Sequence, residues 1–325
     1  MSGLPALSDR PYRAFSRFLR ERFGAKVYRV TIDAGFTCPN VDGSVAVGGC
    51  VYCDNRSFSP NRRLPRTTVT EQVRHGVELL QKRYGAQQFL AYFQAGTNTY
   101  ASVDKLRRLY DEALQHPAIV GLIVGTRPDC LPEPVLQLLE GYARKQWVCV
   151  ELGLQTIHNR SLDWMNRGHH YDVFADAMNR ARGRSLNLCA HVILGLPSES
   201  HSDMMATADA CASMGLDGIK IHNLHVVHDT PLQQMYESGA VRMFERDEYV
   251  DVLCDFLERL PPEMVIHRLS GDAPPDFLVA PTWCLDKPGL LAAIEGEFSR
   301  RGTRQGSNFI GGAAPSRSRI PLPFA

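Results

Sequence analysis

Lysine is scarce in this sequence: 6 of the 36 basic residues are Lys and 30 are Arg. No apolar run approaches the roughly 18 residues that a membrane span needs. No internal repeat has the period of a solenoid. The first 24 residues (MSGLPALSDRPYRAFSRFLRERFG) scatter arginines with no hydrophobic segment behind them, so no secretory signal is expected and the chain is assigned to the cytoplasm. A net charge of +1 offers no broad attraction to polyanions, and neither DNA nor a membrane surface is an expected partner. The preference for Arg suits bidentate recognition of phosphate or carboxylate, and a compositional bias accounts for it equally well. Acidic residues also run out: none follows Glu297, while Arg300, Arg301, Arg304, Arg317 and Arg319 accumulate among Gly, Ser and Pro. Such a tail either tracks phosphates or forms a solvated, flexible end.

What is present is ordinary globular material, with 325 residues, 44% of them hydrophobic and 22% charged. This fits one catalytic domain of about 250 residues with a smaller appendage. Short β-branched or apolar runs at 26–33, 89–94, 119–126, 148–155, 187–196 and 218–227 read as strands. Helical patterns near 68–84, 104–115, 132–144, 171–182 and 200–213 separate them. Thr70 ahead of Glu71 marks one helix start, and Pro132 with Pro134 suits the first turn of another. A further helix (246–260), a strand (264–269) and a last helix (288–301) follow. The expected organisation is a helical lead-in over 1–24, a six-unit β/α core over 25–262 and a C-terminal extension over 263–325. Repeated strand–helix units imply a parallel sheet with right-handed crossovers, either doubly wound or a partial barrel. In both, functional groups gather at the C-terminal ends of strands. Gly-rich or polar text stands there each time: GFTCPN, QAGTNT, GTRPDC, GLQT, GLPSE and NLHVVHDTP.

Cysteines number nine, and a reducing compartment argues against a disulfide framework. Cys130, Cys149, Cys189, Cys211, Cys254 and Cys284 are dispersed, and read as buried small hydrophobes. Cys38, Cys50 and Cys53 instead share a Gly-rich loop. Three thiolates there can ligate three irons of a cubane and leave the fourth open. Zinc is the main rival, but a structural zinc site wants four ligands and no second CxxC lies nearby. A redox CxxC would leave Cys38 idle.

The loop TCPNVDGSVAVGGCVYC resembles the cysteine motif of radical S-adenosylmethionine (SAM) proteins, including Tyr52 before the last ligand. YFQAGTNTY, VGLIVGTRPDC, VELGLQT, NRGH, HVILGLPSE, GIKIHNLHVV, HRLSGD and LVAPTWC, in that order, are similar to the YhcC-like family, a group related to the catalytic subunit of Elongator. The resemblance implies an α/β fold, a partial (β/α)6 TIM-like barrel (the radical SAM core) with a small C-terminal extension. It implies a 4Fe-4S cluster on Cys38, Cys50 and Cys53 and SAM as cofactors, with reductive SAM cleavage giving a 5′-deoxyadenosyl radical. The Gly-Gly-Glu usual after the second strand is replaced by Gln94-Ala95-Gly96-Thr97, which leaves mainly backbone groups, with Gln94 and Thr97, for the SAM amino end. Glu151 and Gln155 are placed at the SAM ribose or methionine, Arg167 at its carboxylate, and Ile193 and Gly195 beside its adenine. Arg127 and Asp129, and Lys220 and His222, are expected to face the substrate. On a continuous strand His225 would point away from them. His267, Arg268 and Cys284 fall in matching text without an assigned role.

Two substrate classes stay open. Kinship to Elongator points to tRNA, at the side chain on carbon 5 of the wobble uridine; the alternative is a radical enzyme acting on a small molecule or a protein. A third possibility is a cluster-binding protein without turnover. A low-potential electron donor of the flavodoxin or ferredoxin type is the expected redox partner.

Overall fold

The computed structural model describes residues 10–311, so Arg317 and Arg319 lie outside the described residues. Nine strands follow one another: β1 Val27–Ile32, β2 Gln88–Phe93, β3 Ile119–Thr126, β4 Trp147–Gln155, β5 Asn187–Leu194, β6 Gly218–Asn223, β7 Val226–Val227, β8 Val265–Arg268 and β9 Leu278–Ala280. Seven of them form one sheet in the order β1-β2-β3-β4-β5-β6-β8, and every neighbouring pair is parallel. The expected six strands therefore gain a seventh, which comes from the segment assigned to the extension. The border at 262/263 separates two hydrogen-bonded strands of one sheet.

Parallel strands are buried on both faces, and that makes them legible as apolar runs. All nine residues of β4 (WVCVELGLQ) are buried. Helices Val69–Tyr84, Val103–Leu114, Glu133–Ala143, Tyr171–Ala181 and His201–Ser213 connect successive strands and cover one face. The first of these is capped two residues earlier than expected. Thr68, not Thr70, accepts from the Glu71 amide, and the Glu71 carboxylate accepts from the Thr68 amide at 2.8 Å. Pro132 is the N-cap of its helix and Pro134 lies in the first turn.

The sheet is curled. In a flat sheet β2 and β6, four spacings apart, would stand about 19 Å from each other. Yet Lys220 Nζ on β6 reaches Tyr92 Oη on β2 at 2.6 Å. The inward side chains of alternate strands thus meet in a lumen, as in a barrel left open between β1 and β8. Helix Phe15–Phe23 plugs the bottom of that lumen, with Phe15 and Leu19 packed on Leu90, Ile123 and Trp147. The plug is tied to the sheet because Ala14 bridges Ile266 of β8, whose amide donates to Arg13 O at 2.8 Å.

The C-terminal basic residues split. Arg300 and Arg301 belong to helix Lys287–Arg301 and pair with acids instead of forming a flexible tail. Arg301 meets Asp255 at 2.6 Å, Glu297 at 2.5 Å and Glu258 at 3.3 Å, and also Asp251; Arg300 meets Glu297 at 2.6 Å. Arg304 is exposed just beyond the helix. Among the described residues no helix is long and apolar enough to cross a membrane.

Candidate functional site

After β1 the chain enters the cysteine loop, which folds on itself before it docks on the core. The amides of Val41 and Asp42 donate to Cys38 O at 2.8 and 3.1 Å, Asp42 bridges Val47, and the Cys53 amide donates to Cys50 O at 2.9 Å. Gly48 and Gly49 take φ of 85° and 78°, the left-handed region that suits glycine. Two asparagines moor the loop. Asn166 Nδ2 donates to Val47 O at 3.1 Å and Gly49 O at 2.8 Å, and Asn40 Nδ2 donates to Asn166 O. Gly168 leaves room for this mooring, since a Cβ there would stand 2.2 Å from Asn40 Oδ1.

Cys38, Cys50 and Cys53 line one cavity of about 220 Å³ at the C-terminal ends of the strands. The Cys50 sulfur faces two buried donors, Asn40 Nδ2 at 3.6 Å and Arg167 Nη1 at 3.7 Å. Burial, then the proximity of Cys50 and Cys38, pushes the Cys53 thiol well up. Three thiolates so close repel one another unless a cation sits among them, and iron is that cation in a cysteine-held cluster. N–H donors at a ligand sulfur fit the same group. Burial works against the charge of Arg167, but Cys50 and Tyr52 beside it raise its pKa overall. The remaining Arg167 donors are Nη2, bound to Gly153 O at 2.9 Å, and Nε, buried with no partner among the described residues.

The strand ends ring this cavity. The Thr97 amide donates to Thr37 O at 2.9 Å and the Gly96 amide to Asn55 Oδ1 at 3.2 Å, so segment 94–97 packs directly on the cysteine loop. A Cβ on Gly96 would lie 2.6 Å from Phe36 O. Of the residues singled out in the sequence, Gln94, Thr97, Arg127, Glu151, Gln155, Arg167, Ile193, Lys220 and His222 line the cavity. Two expected residues do not. Asp129 holds both nitrogens of the Arg127 fork at 2.9 and 2.7 Å, leaving Arg127 Nη1 for Arg167 O at 2.9 Å. Gly195, at φ 87°, makes a turn whose open side meets the Phe244 ring, so it is not beside the cavity.

Deeper in the lumen four strands besides β4 converge on one carboxylate. Glu151 is fully buried, and its Oε2 accepts from Tyr92 Oη at 2.7 Å, Lys220 Nζ at 3.0 Å and His191 Nε2 at 2.9 Å. His267 Nδ1 stands 3.4 Å from Oε1. Burial alone would raise the Glu151 carboxyl, but Lys220, with His191 and His267 after it, holds it well below the usual range. Burial lowers Lys220, and Glu151 partly restores it. Burial also pushes His191 down to about 4 and His222 well below its ordinary value. The lumen therefore presents one buried ion pair and neutral imidazoles at neutral pH. Because β6 ends at Asn223, His225 is freed from strand alternation and lines the same cavity as His222.

Sequence reasoning missed Asn40, Tyr92, His191 and Asp272 here, and left His267 and Arg268 without a role. His191 carries a faint signal, as a lone polar residue two positions before Ile193 in an apolar strand. The dispersed cysteines are buried as expected, Cys284 donating to Pro281 O at 3.0 Å. Beside the cavity lies a cleft of about 1100 Å³, which shares Tyr92, Gln94, Lys220, Arg268 and Asp272 with it.

Comparisons with known proteins identify the family. Residues 45–211 match the radical SAM superfamily and residues 216–300 its C-terminal domain. The chain is 39% identical over 305 residues to the protein YtqA of Bacillus subtilis (strain 168), covering 93% of this chain and 94% of that one. It is 38% identical over 294 residues to the protein YhcC of Escherichia coli (strain K12), covering 90% and 94%. A tRNA uridine(34) acetyltransferase of Methanocaldococcus jannaschii is 25% identical over 183 residues, covering 55% of this chain and 33% of that protein. Among solved structures, the archaeal Elp3 of Methanocaldococcus infernus superimposes with a TM-score of 0.65 at 18% identity, covering 86% of this chain and 64% of that one, a likeness of fold.

Proposed function

The chain belongs to the radical SAM superfamily, in the branch that holds YtqA and YhcC, and we propose that this radical SAM enzyme acts on tRNA, at the side chain on carbon 5 of the wobble uridine. When bound, the family's reduced 4Fe-4S cluster would supply one electron to the sulfonium of SAM, whose C5′–S bond would break to give methionine and a hydrogen-abstracting 5′-deoxyadenosyl radical. Cys38, Cys50 and Cys53 would hold the cluster. Segment 94–97 with Gln155, Arg167 and Ile193 would hold SAM above the lumen.

The chain's own residues then bind, orient and keep water out. Arg127, fixed by Asp129, supports the backbone of Arg167. The Glu151–Lys220 pair, braced by Tyr92, keeps the lumen walls together, and the neutral His222 and His225 offer hydrogen bonds without adding charge. A low-potential flavodoxin or ferredoxin is the partner this reading requires.

One observation carries the choice of substrate. The 220 Å³ cavity shares Tyr92, Gln94, Lys220, Arg268 and Asp272 with a neighbouring cleft of 1100 Å³, which gives room beside the site for the bulk of a substrate much larger than its reacting base. The partial match to a tRNA uridine(34) acetyltransferase, over 55% of this chain, points the same way. The test is nucleoside mass spectrometry of total tRNA from a strain lacking the gene. Loss of one C5-substituted uridine is expected, with restoration by the wild-type gene but not by Cys53→Ala. An unchanged nucleoside profile would overturn the RNA reading.

A further inference from the structure

The cleft between β1 and β8 has a charge that the whole chain does not. Among the described residues it is lined by eight basic side chains and a single acid, Asp272, although the protein carries only one net positive charge. Three of the eight, Arg20 on the plug helix and Lys26 and Arg29 at the β1 edge, are exposed and meet no carboxylate. Arg10 and Arg63 have only loose partners, Glu295 at 3.6 Å and Asp276 at 4.0 Å. Lys220 and Arg268, which also line the inner cavity, pair with Glu151 and Asp272, and the exposed Lys287 shares Asp272. Charge is therefore graded, unpaired at the mouth and paired within.

The mouth also carries rings. Arg29 lies 5.8 Å from the Phe15 ring and 5.6 Å from the Tyr92 ring, and Tyr92 belongs to the lumen cluster. Phe58, which is exposed, and Tyr28, half-buried and stacked on Tyr84, line the same opening, as does the buried Tyr12. One wall is segment 55–66 (NRSFSPNRRLPR), of which Ser57, Phe58, Pro60 and Arg63 line the cleft, while Arg56 pairs with Asp54 and Arg62 with Asp33. Unpaired cations interleaved with aromatic faces favour a strand whose backbone is anionic and whose bases stack, over an acidic peptide.

We propose that this cleft binds the phosphodiester backbone of single-stranded RNA, with Arg20, Lys26 and Arg29 as phosphate contacts, so that one unstacked base enters the lumen past Tyr92. The inference rests on the RNA reading above and adds the site. Phosphate contacts at the mouth set register, and the paired charges further in leave the base end to hydrogen bonding.

The test is fluorescence anisotropy of a labelled 17-nucleotide RNA stem-loop on the cluster-loaded protein across a salt series. Wild type should bind with affinity that falls as salt rises. The triple variant Arg20→Ala/Lys26→Ala/Arg29→Ala should bind at least tenfold more weakly at about 0.1 M salt, with a log–log salt slope shallower by roughly 2, at about 0.7 per lost phosphate contact on a single strand. Arg20→Glu/Lys26→Glu, which leaves Arg29 on its rings, should weaken binding further and guards against a folding defect in the triple variant. Lys82→Ala/Lys145→Ala, exposed and away from the cleft, should bind as wild type does. Unchanged binding by both cleft variants would overturn the site while sparing the RNA reading. No wild-type binding would overturn both. Displacement of the RNA by polyglutamate at equal charge concentration would mark a generic polyanion surface and overturn the RNA assignment of the cleft.

Discussion

Cys50 differs from its two companions in having a guanidinium and an amide aimed at its sulfur, and a cluster's potential depends on such donors and on nearby charge. Reduction adds negative charge, so a buried cation 3.7 Å from the sulfur stabilises the reduced state. Arg167→Met should lower the cluster midpoint by on the order of 60 mV, a tenfold change in the reduced fraction at fixed potential. Arg167→Lys should recover part of the shift. EPR-monitored redox titration decides it: an unchanged midpoint at full iron and sulfide content, with weakened SAM binding, would return Arg167 to the carboxylate role alone. His191 supports a prediction in pH. Its folded pKa of about 4, depressed by burial and then by Lys220, lies below the ordinary value near 6.5. As pH falls from 6.5 toward 4 the unfolded chain takes up a proton that the folded one refuses, so stability is lost over that window. By pH 5 the loss is about 2 kcal/mol. Glu151, held well below its ordinary range, is lost only at lower pH and does not mask the effect. His191→Gln should narrow the difference between urea midpoints at pH 7 and pH 5 by that one group's share, the buried His169 and His222 keeping the rest; a variant as acid-sensitive as wild type would refute the assignment.

The elements differ in how openly they announce themselves. Parallel strands buried on both faces show as apolar runs, and the helices between them show a period near 3.6, so β3 was readable to the residue and β1, β2, β4 and β5 to within two, whereas β6 ends four residues before the run does. The cysteine loop was legible because three thiols and their glycines lie within 16 residues. The lumen was not, because Tyr92, Glu151, His191, Lys220 and His267 come from five strands and only the curl of the sheet brings them together. The cleft was hidden for the same reason: its cations are scattered between residues 10 and 287, whereas the eye was drawn to the terminal arginines, two of which are paired within a helix. Asn40 looked like any turn former, and its bond to Cys50 depends on Gly168, far along the chain. The plug helix is the element with the sharpest mechanical consequence. Phe15 is 6% exposed and its ring stacks on His267 at 4.0 Å, directly under the Glu151 cluster. Phe15→Ala should cost about 3–5 kcal/mol, as for other buried aromatic truncations. Phe15→Leu should cost markedly less. Urea denaturation checks both, and a loss below 1 kcal/mol for the alanine variant would mean the lumen floor is held by other contacts.

At the scale of the whole molecule, the C-terminal segment is bound to the barrel by strand pairing and by buried polar contacts. β8 completes the sheet beside β6, with the Val265 amide donating to Asp217 O at 2.9 Å. Gln305 ties three regions together: its Nε2 donates to Pro261 O and Met264 O at 2.7 and 2.8 Å, and its Oε1 accepts from the Arg13 amide at 2.8 Å. Glu258, nearly buried, collects Thr303, Asn308 and Arg301. A chain ending at Pro262 would strip the edge of β6, release the N-terminal plug from Ile266 and leave Glu258 without its donors. Unpaired strand edges and an orphaned buried carboxylate each carry a large cost. We therefore expect residues 1–262 to be insoluble or molten, without near-UV dichroism or a cooperative melt, and unable to keep a cluster after anaerobic reconstitution. Coexpression with 263–325 should rescue both properties, because the missing strand and helix are then supplied in trans. If 1–262 alone gave a monodisperse protein with a sharp melt and full iron content, the border expected at 262/263 would be a true domain boundary, and the idea of one continuous seven-stranded unit would have to be given up.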